Sequence, residues 1–220
     1  MTSADTQEKF SRQVILPGVG AEGQKSWNEA NVLLAGDGIA LQSAASALSS
    51  TGVSKITLLI QENFDPSFLV SAHPQLSVEA LPLSEQLPSF SVAIVVSKDA
   101  HLRRRLNRLF RKNHQAAVFA WPSASGYALF TSRYLNGCPC LECFEVLNPK
   151  AFSKGSDSVE RLLGSVAASE ALELILNGSS PLENKVWITA LETGISVKHD
   201  VIPTYKCPAE MIEDGAKVTP

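Results

Sequence analysis

The sequence predicts an α/β fold: a Rossmann-like, mostly parallel sheet flanked by helices, with a C-terminal antiparallel β element and a cysteine cluster. Three observations carry this. Residues 31–60 read as apolar run, Gly-x-Gly turn, helix and second apolar run, a βαβ unit whose strands are parallel. The apolar runs are continuous rather than alternating, as in strands covered on both faces. Residues 185–191 and 195–202 instead alternate around Glu192-Thr193-Gly194, like the arms of a hairpin.

The elements follow in order. Residues 31–35 form a strand ending at Gly36-Asp37-Gly38, and 39–50, rich in Ala, Leu and Ser without Gly or Pro, form a helix that Thr51-Gly52 closes. Residues 55–60 are the second strand. The proline-punctuated stretch 61–88 is a connection with one poor strand near 76–81. Strands at 91–96 and 116–120 flank a helix that Asp99 should cap, with Leu102, Leu106, Leu109 and Phe110 on one buried stripe. Another strand is expected at 127–131. A long helix at 158–177 takes its cap from Ser156 or Ser158 and stops at Asn177-Gly178. The last ~15 residues are polar and loosely held, apart from whatever Cys207 binds.

Composition bounds the function. The 220 residues are 45% hydrophobic and 19% charged with a net charge of -3, which excludes wholesale disorder and gives no reason to expect a general nucleic-acid binder. The polar start has no apolar core of a signal peptide, and no run of ~18 apolar residues spans a membrane, so a cytoplasmic protein is expected. Cys138, Cys140 and Cys143 sit within six residues and Cys207 stands far away, a pattern that reads better as a metal site than as a disulfide framework.

The segment from Phe10 through Arg12 and Gly18 to Lys25 resembles the opening of ThiF/MoeB/HesA proteins, the bacterial relatives of ubiquitin-activating enzymes. The resemblance continues at 31–38 and 52–60, at Pro139-Cys140-Leu141-Glu142-Cys143-Phe144 and in the helix around Leu162-Leu163-Gly164. It implies one domain over 1–220: an N-terminal helical interface segment (1–30), a Rossmann-like nucleotide-binding-type core (31–135), and a Cys site, long helix and C-terminal hairpin (136–220). It also implies a dimer, homo- or heterodimeric. Members of that family use ATP-Mg to adenylate the C-terminal Gly-Gly of a ubiquitin-fold partner, commonly a sulfur carrier.

Carried over residue by residue, the resemblance gives a degenerate, shortened member. The phosphate loop aligns with Gly36 and Gly38, but its third glycine is Leu41, which pushes the helix away or fills nucleotide space. Asp37 puts negative charge where a triphosphate would lie. The bland alternative is a tight βα turn with no ligand. Ile60 stands where the family has a ribose-binding acid, with Glu62 two residues on, which also disfavours an NAD-type oxidoreductase. Between Gln61 and Ser97 there is no Lys or Arg for the phosphates. Arg12 matches the arginine that reaches across the dimer to the nucleotide, or forms an ordinary interface ion pair. Asp99 matches the Mg-binding aspartate, or only caps its helix. No cysteine lies between Cys143 and Cys207, so no acceptor thiol precedes the long helix, and no residue is assigned a catalytic role.

The family holds a structural zinc with two CxxC pairs. Cys140 and Cys143 are the first pair; Cys207 begins the second, whose last thiol is replaced by Glu210. Cys138 or Glu210 would complete the site, the alternatives being a metal-free remnant or a disulfide. The helix after Asp99 is strongly basic: residues 98–112 carry seven of the chain's 19 cations and one acid, a net +6 that leaves -9 elsewhere. It is either a solvated face or, through Arg103, Arg104, Arg108 and Arg111, a docking surface for an acidic partner such as a ubiquitin-fold carrier. The leading expectation is a non-catalytic binding or scaffold subunit for such a carrier or for an active paralogue. The alternative is a working ATP-dependent adenylyltransferase.

Overall fold

The structure is a computed structural model describing residues 10–60, 67, 76–84, 86–123, 126–135, 137–147, 156–204 and 207–211. Two helices open it, α1 (Ser11–Val14) and α2 (Gly20–Glu29), within the segment expected to be helical. Then β1 (Asn31–Gly36), α3 (Gly38–Thr51) and β2 (Lys55–Ile60) form the βαβ unit read from the sequence. They are followed by β3 (Ser77–Pro82), β4 (Val92–Val96), α4 (Ala100–Lys112), β5 (Ala117–Ser123) and β6 (Gly126–Ser132). The chain continues through α5 (Leu141–Leu147), α6 (Asp157–Asn177), β7 (Lys185–Ala190), β8 (Ile195–Asp200) and α7 (Pro208–Met211).

The eight strands form one sheet in the order β3-β2-β1-β4-β5-β6-β7-β8. The first five are mutually parallel, and β6, β7 and β8 are antiparallel. The mixed α/β sheet with a trailing antiparallel part is therefore as the sequence predicts. Alternation within the apolar runs assigns the two faces. Val32 and Leu34 of β1 point to a layer made by α3 and α6, with Trp27 of α2. Leu33 and Ala35 point to the opposite layer, made by α4 and α5. Each strand of the parallel core is thus buried twice, which is why it shows no polar alternation. β3 is the exception. It lies on the sheet edge and is mostly exposed, so Glu79 and Pro82 are tolerated there and its pattern is weak.

Local signals set the helix ends. Asp99 Oδ1 accepts from His101 N at 2.8 Å, capping α4. Ser156 Oγ accepts from Val159 N to cap α6, and Gly178, at φ +66°, closes it. α6 packs closely on α3: a Cβ on Gly164 would strike the Ala40 carbonyl, and Ser43 Oγ donates to the Arg161 carbonyl at 2.7 Å. α2 is pinned to both, through Gln24 Nε2 to the Thr51 carbonyl (2.9 Å) and Trp27 Nε1 to the Leu172 carbonyl (3.0 Å). Among the described residues no helix is long and apolar enough to cross a membrane.

Candidate functional site

β1 and β4 are neighbours, but their following helices leave to opposite faces of the sheet. The crevice beyond their carboxyl ends is the topological switch point at which open α/β sheets bind ligands. Gly36 and Gly38 lie there, as expected, but each has a backbone reason to be glycine. Gly36 adopts φ +138°, and a Cβ on it would run into the Val96 carbonyl of β4. Gly38 turns the chain into α3 at φ +63°. Leu41, at the third glycine position, is buried in the core between the sheet, α3 and α6.

The charges at this crevice are mostly negative. Asp37 is half-buried at the N-cap of α3, and its side chain makes no capping bond. Burial pushes its carboxyl up from the usual aspartate range; Lys98 opposes this, and Glu160 and Asp99 add to it. Lys98 Nζ is 3.1 Å from Glu160 Oε1, a bridge from the end of β4 to the first turn of α6. Asp99, the candidate magnesium ligand, is turned to its own helix as a cap. The cavity lined by Asp37, Ala40, Ser97, Lys98, Glu160 and Leu163 measures about 10 Å³. That is room for about one water, whereas clefts for nucleotide-sized ligands run to ~300 Å³ or more. Arg12 is exposed on α1, does not line this cavity and pairs with no carboxylate among the described residues. Glu62 lies outside the described residues.

The second centre is the thiol cluster. Cys140 and Cys143 on and beside α5 meet Cys207, just before α7, across the face of the sheet. Their sulfurs are 3.4 Å (140–207), 3.6 Å (143–207) and 3.8 Å (140–143) apart, and all three residues are buried. A tetrahedral metal with sulfur bonds of ~2.3 Å sets its sulfurs ~3.8 Å apart, so the three thiols could hold a metal ion. Cys138 stands aside: half-buried, it takes Asn184 Nδ2 on its sulfur at 3.6 Å and is not in the cluster. The Glu210 side chain lies outside the described residues. Hydrogen bonding with Cys140 and Cys207 pulls the Cys143 thiol down, and Arg111 Nη1 approaches the Cys207 sulfur at 3.5 Å. Burial, aided by Cys140, pushes the adjacent Tyr134 phenol well up, so it stays a neutral donor, to Asn107 Oδ1 at 2.8 Å.

The basic helix faces this cluster, and much of its charge is used internally. Arg103 is fully buried, donating to the Ser97 carbonyl (2.7 Å) and lying 3.4 Å from Glu145, with its guanidinium 5.3 Å from the Trp121 ring. It therefore offers nothing to a docking partner. Burial pulls its guanidinium down from the usual arginine range, opposed by Glu145. Arg104 Nε meets Glu145 Oε2 at 2.6 Å, and Arg108 grips both oxygens of Glu142 at 2.9 and 2.6 Å. Asn107 also donates to Glu142, at 3.0 Å. Four of the arginines proposed from sequence thus turn, wholly or partly, toward α5 and the thiols. Sequence reasoning missed their partners Glu142 and Glu145. The signal was present: two acids spaced by three on one helical face, matching arginines spaced by four.

No protein-family model matches the chain. Protein HesA, vegetative, of Trichormus variabilis is 25% identical over 234 residues, covering 91% of this chain and 88% of that protein. The chain is similar to HesA over nearly its whole length, in line with the ThiF/MoeB/HesA resemblance of its motifs, and it shares its fold with the MccB structures. The crystal structure of E. coli MccB with ATP matches it with a TM-score of 0.70 at 15% identity, covering 91% of this chain and 74% of that one. The microcin C7 biosynthetic enzyme MccB in complex with N-formylated MccA gives a TM-score of 0.71 at 13% identity, covering 95% and 76%. PaaA gives 0.69 at 11% identity, covering 92% and 76%. At these identities the solved structures speak for the fold alone.

Proposed function

We propose that this chain is a degenerate ThiF/MoeB-like protein: a non-catalytic binding or scaffold subunit for a ubiquitin-fold, sulfur-carrier-like protein or for an active paralogue. The observation that carries the reading is the switch-point crevice. Where a nucleotide's phosphates would meet a helix N-terminus, Asp37 and Glu160 stand instead, and Lys98 is already paired with Glu160. Phosphoryl and adenylyl transfer depend on positioning and charge neutralisation, and the acids that line the described part of this crevice oppose the second. Titration calorimetry with ATP-Mg, followed by pyrophosphate exchange with a Gly-Gly-terminated carrier, tests it. The expected result is no nucleotide binding at millimolar concentration; exchange above background overturns the reading.

Similarity to HesA and a fold shared with an MccB crystallised with ATP favour the second reading, an ATP-dependent adenylyltransferase acting on a carrier protein. That enzyme would need Lys98 released from Glu160, with Arg12 supplied from a partner subunit. A dimer is part of the proposal in either case. The exposed Ile15 and Leu16, in the segment assigned to the interface, support it. Zinc is the metal proposed for Cys140, Cys143 and Cys207, where it would act as a structural staple holding the C-terminal segment to α5.

A further inference from the structure

We propose that the outer face of α4 is a docking groove for an extended acidic peptide segment of a partner protein, which deepens the scaffold reading above and rests on it. The groove runs between α4 and the chain that follows β3, measures about 620 Å³, and is lined by Arg104, Arg105, Arg108, Lys112, His101 and Leu109, among others. Its arginines are prepared rather than free-swinging. Glu142 and Glu145, each under 5% exposed at the side chain, hold Arg108 and Arg104 from below, while 34% and 43% of those side chains remain exposed. Fixing a guanidinium fork from behind removes much of the entropy cost of using its outer edge.

The charge count favours an anion. Glu145 is shared by Arg103 and Arg104, leaving one excess positive charge, and Glu142 neutralises Arg108. Arg105 and Lys112 pair with no carboxylate among the described residues, so the groove keeps an excess of three on a protein of net charge -3. Arg104, Arg108 and Lys112 follow each other at four-residue steps, ~6 Å apart along the helix. An extended chain presents a side chain to one face every ~6.6 Å, so carboxylates at alternate residues match the row. Leu109 adds apolar contact. Among the described residues no Phe, Tyr or Trp lines the groove to stack a base, and the strongly acidic remainder of the molecule repels a long polyanion.

The experiment is fluorescence anisotropy of the full chain with a labelled peptide of alternating Glu and Leu, beside the same peptide with Gln for Glu. Saturable binding of the acidic peptide only is expected, weakened on the order of tenfold by Arg105→Glu combined with Lys112→Glu. Both side chains are exposed, so the variant should melt like the parent. Equal binding of the Gln peptide, insensitivity to the double variant, or tighter binding of a labelled oligothymidylate overturns the proposal. Nucleotide binding is read separately: ATP exchange with intact peptide binding overturns the scaffold reading alone, and silence in both assays overturns the groove alone.

Discussion

Asp37 shows how one residue can decide what a loop does. It sits at the N-cap of α3, where an acid is normally welcome, yet its side chain caps nothing and is half-buried beside Glu160 and Asp99. Its carboxyl is raised, so the folded state prefers it protonated and its ionisation at neutral pH works against folding. The sign of the linkage follows: stability from this group is full below the ordinary aspartate pKa of 3.8 and is lost as pH rises through the raised value. Asp37→Asn is therefore expected to stabilise the protein modestly at neutral pH and to have no effect in strong acid, read by urea titration at both pH values. Asp37 and Leu41 were legible as departures from a phosphate loop because they lie within the motif. Glu160 was not: it reaches the same crevice from more than 120 residues away, and no local pattern links the two.

At the scale of elements, α4 and α5 are coupled through carboxylates. Glu142, 3% exposed, accepts from Arg108 and Asn107, and Tyr134 and the Leu141 backbone both meet Asn107 Oδ1. Glu142→Gln is expected to cost about 1–2 kcal/mol in a urea melt, because a buried carboxylate that accepts from Arg108 and Asn107 loses its charge while Arg108, about a third exposed, keeps part of its hydration. The elements themselves were largely readable. Asp99 and Ser156 announce α4 and α6, and Gly52 and Gly178 end α3 and α6 with left-handed caps. α5 was hidden because it begins inside a metal-type CxxC spacing, Cys140 to Cys143, which reads as chemistry before it reads as a helix. The full extent of charge burial on α4 was hidden for the opposite reason. A +6 segment reads as a wet face, and only packing against α5 reveals that Arg103 is inside.

At the scale of the molecule, Cys207 lies 64 positions beyond Cys143 and yet within 3.6 Å of its sulfur. A metal shared by the three thiols would close that long loop, and binding free energy of this kind becomes folding free energy. Purified protein is expected to carry about one zinc per chain, and chelation to lower the melting temperature in a single cooperative step. Less than ~0.2 metal per chain by elemental analysis would remove the metal from this account.

The Lys98–Glu160 bridge spans the switch point, joining the end of β4 to α6. α6 is in turn fastened to α3 by Gly164 against Ala40 and by Ser43 against Arg161, and α3 grows directly from β1. Two halves of a doubly wound sheet ordinarily meet at a seam, where they can flex about a ligand. Here an ion pair crosses the seam, so an anion entering beside Gly36 and Gly38 would compete with Glu160 for Lys98, and added salt would ease its entry.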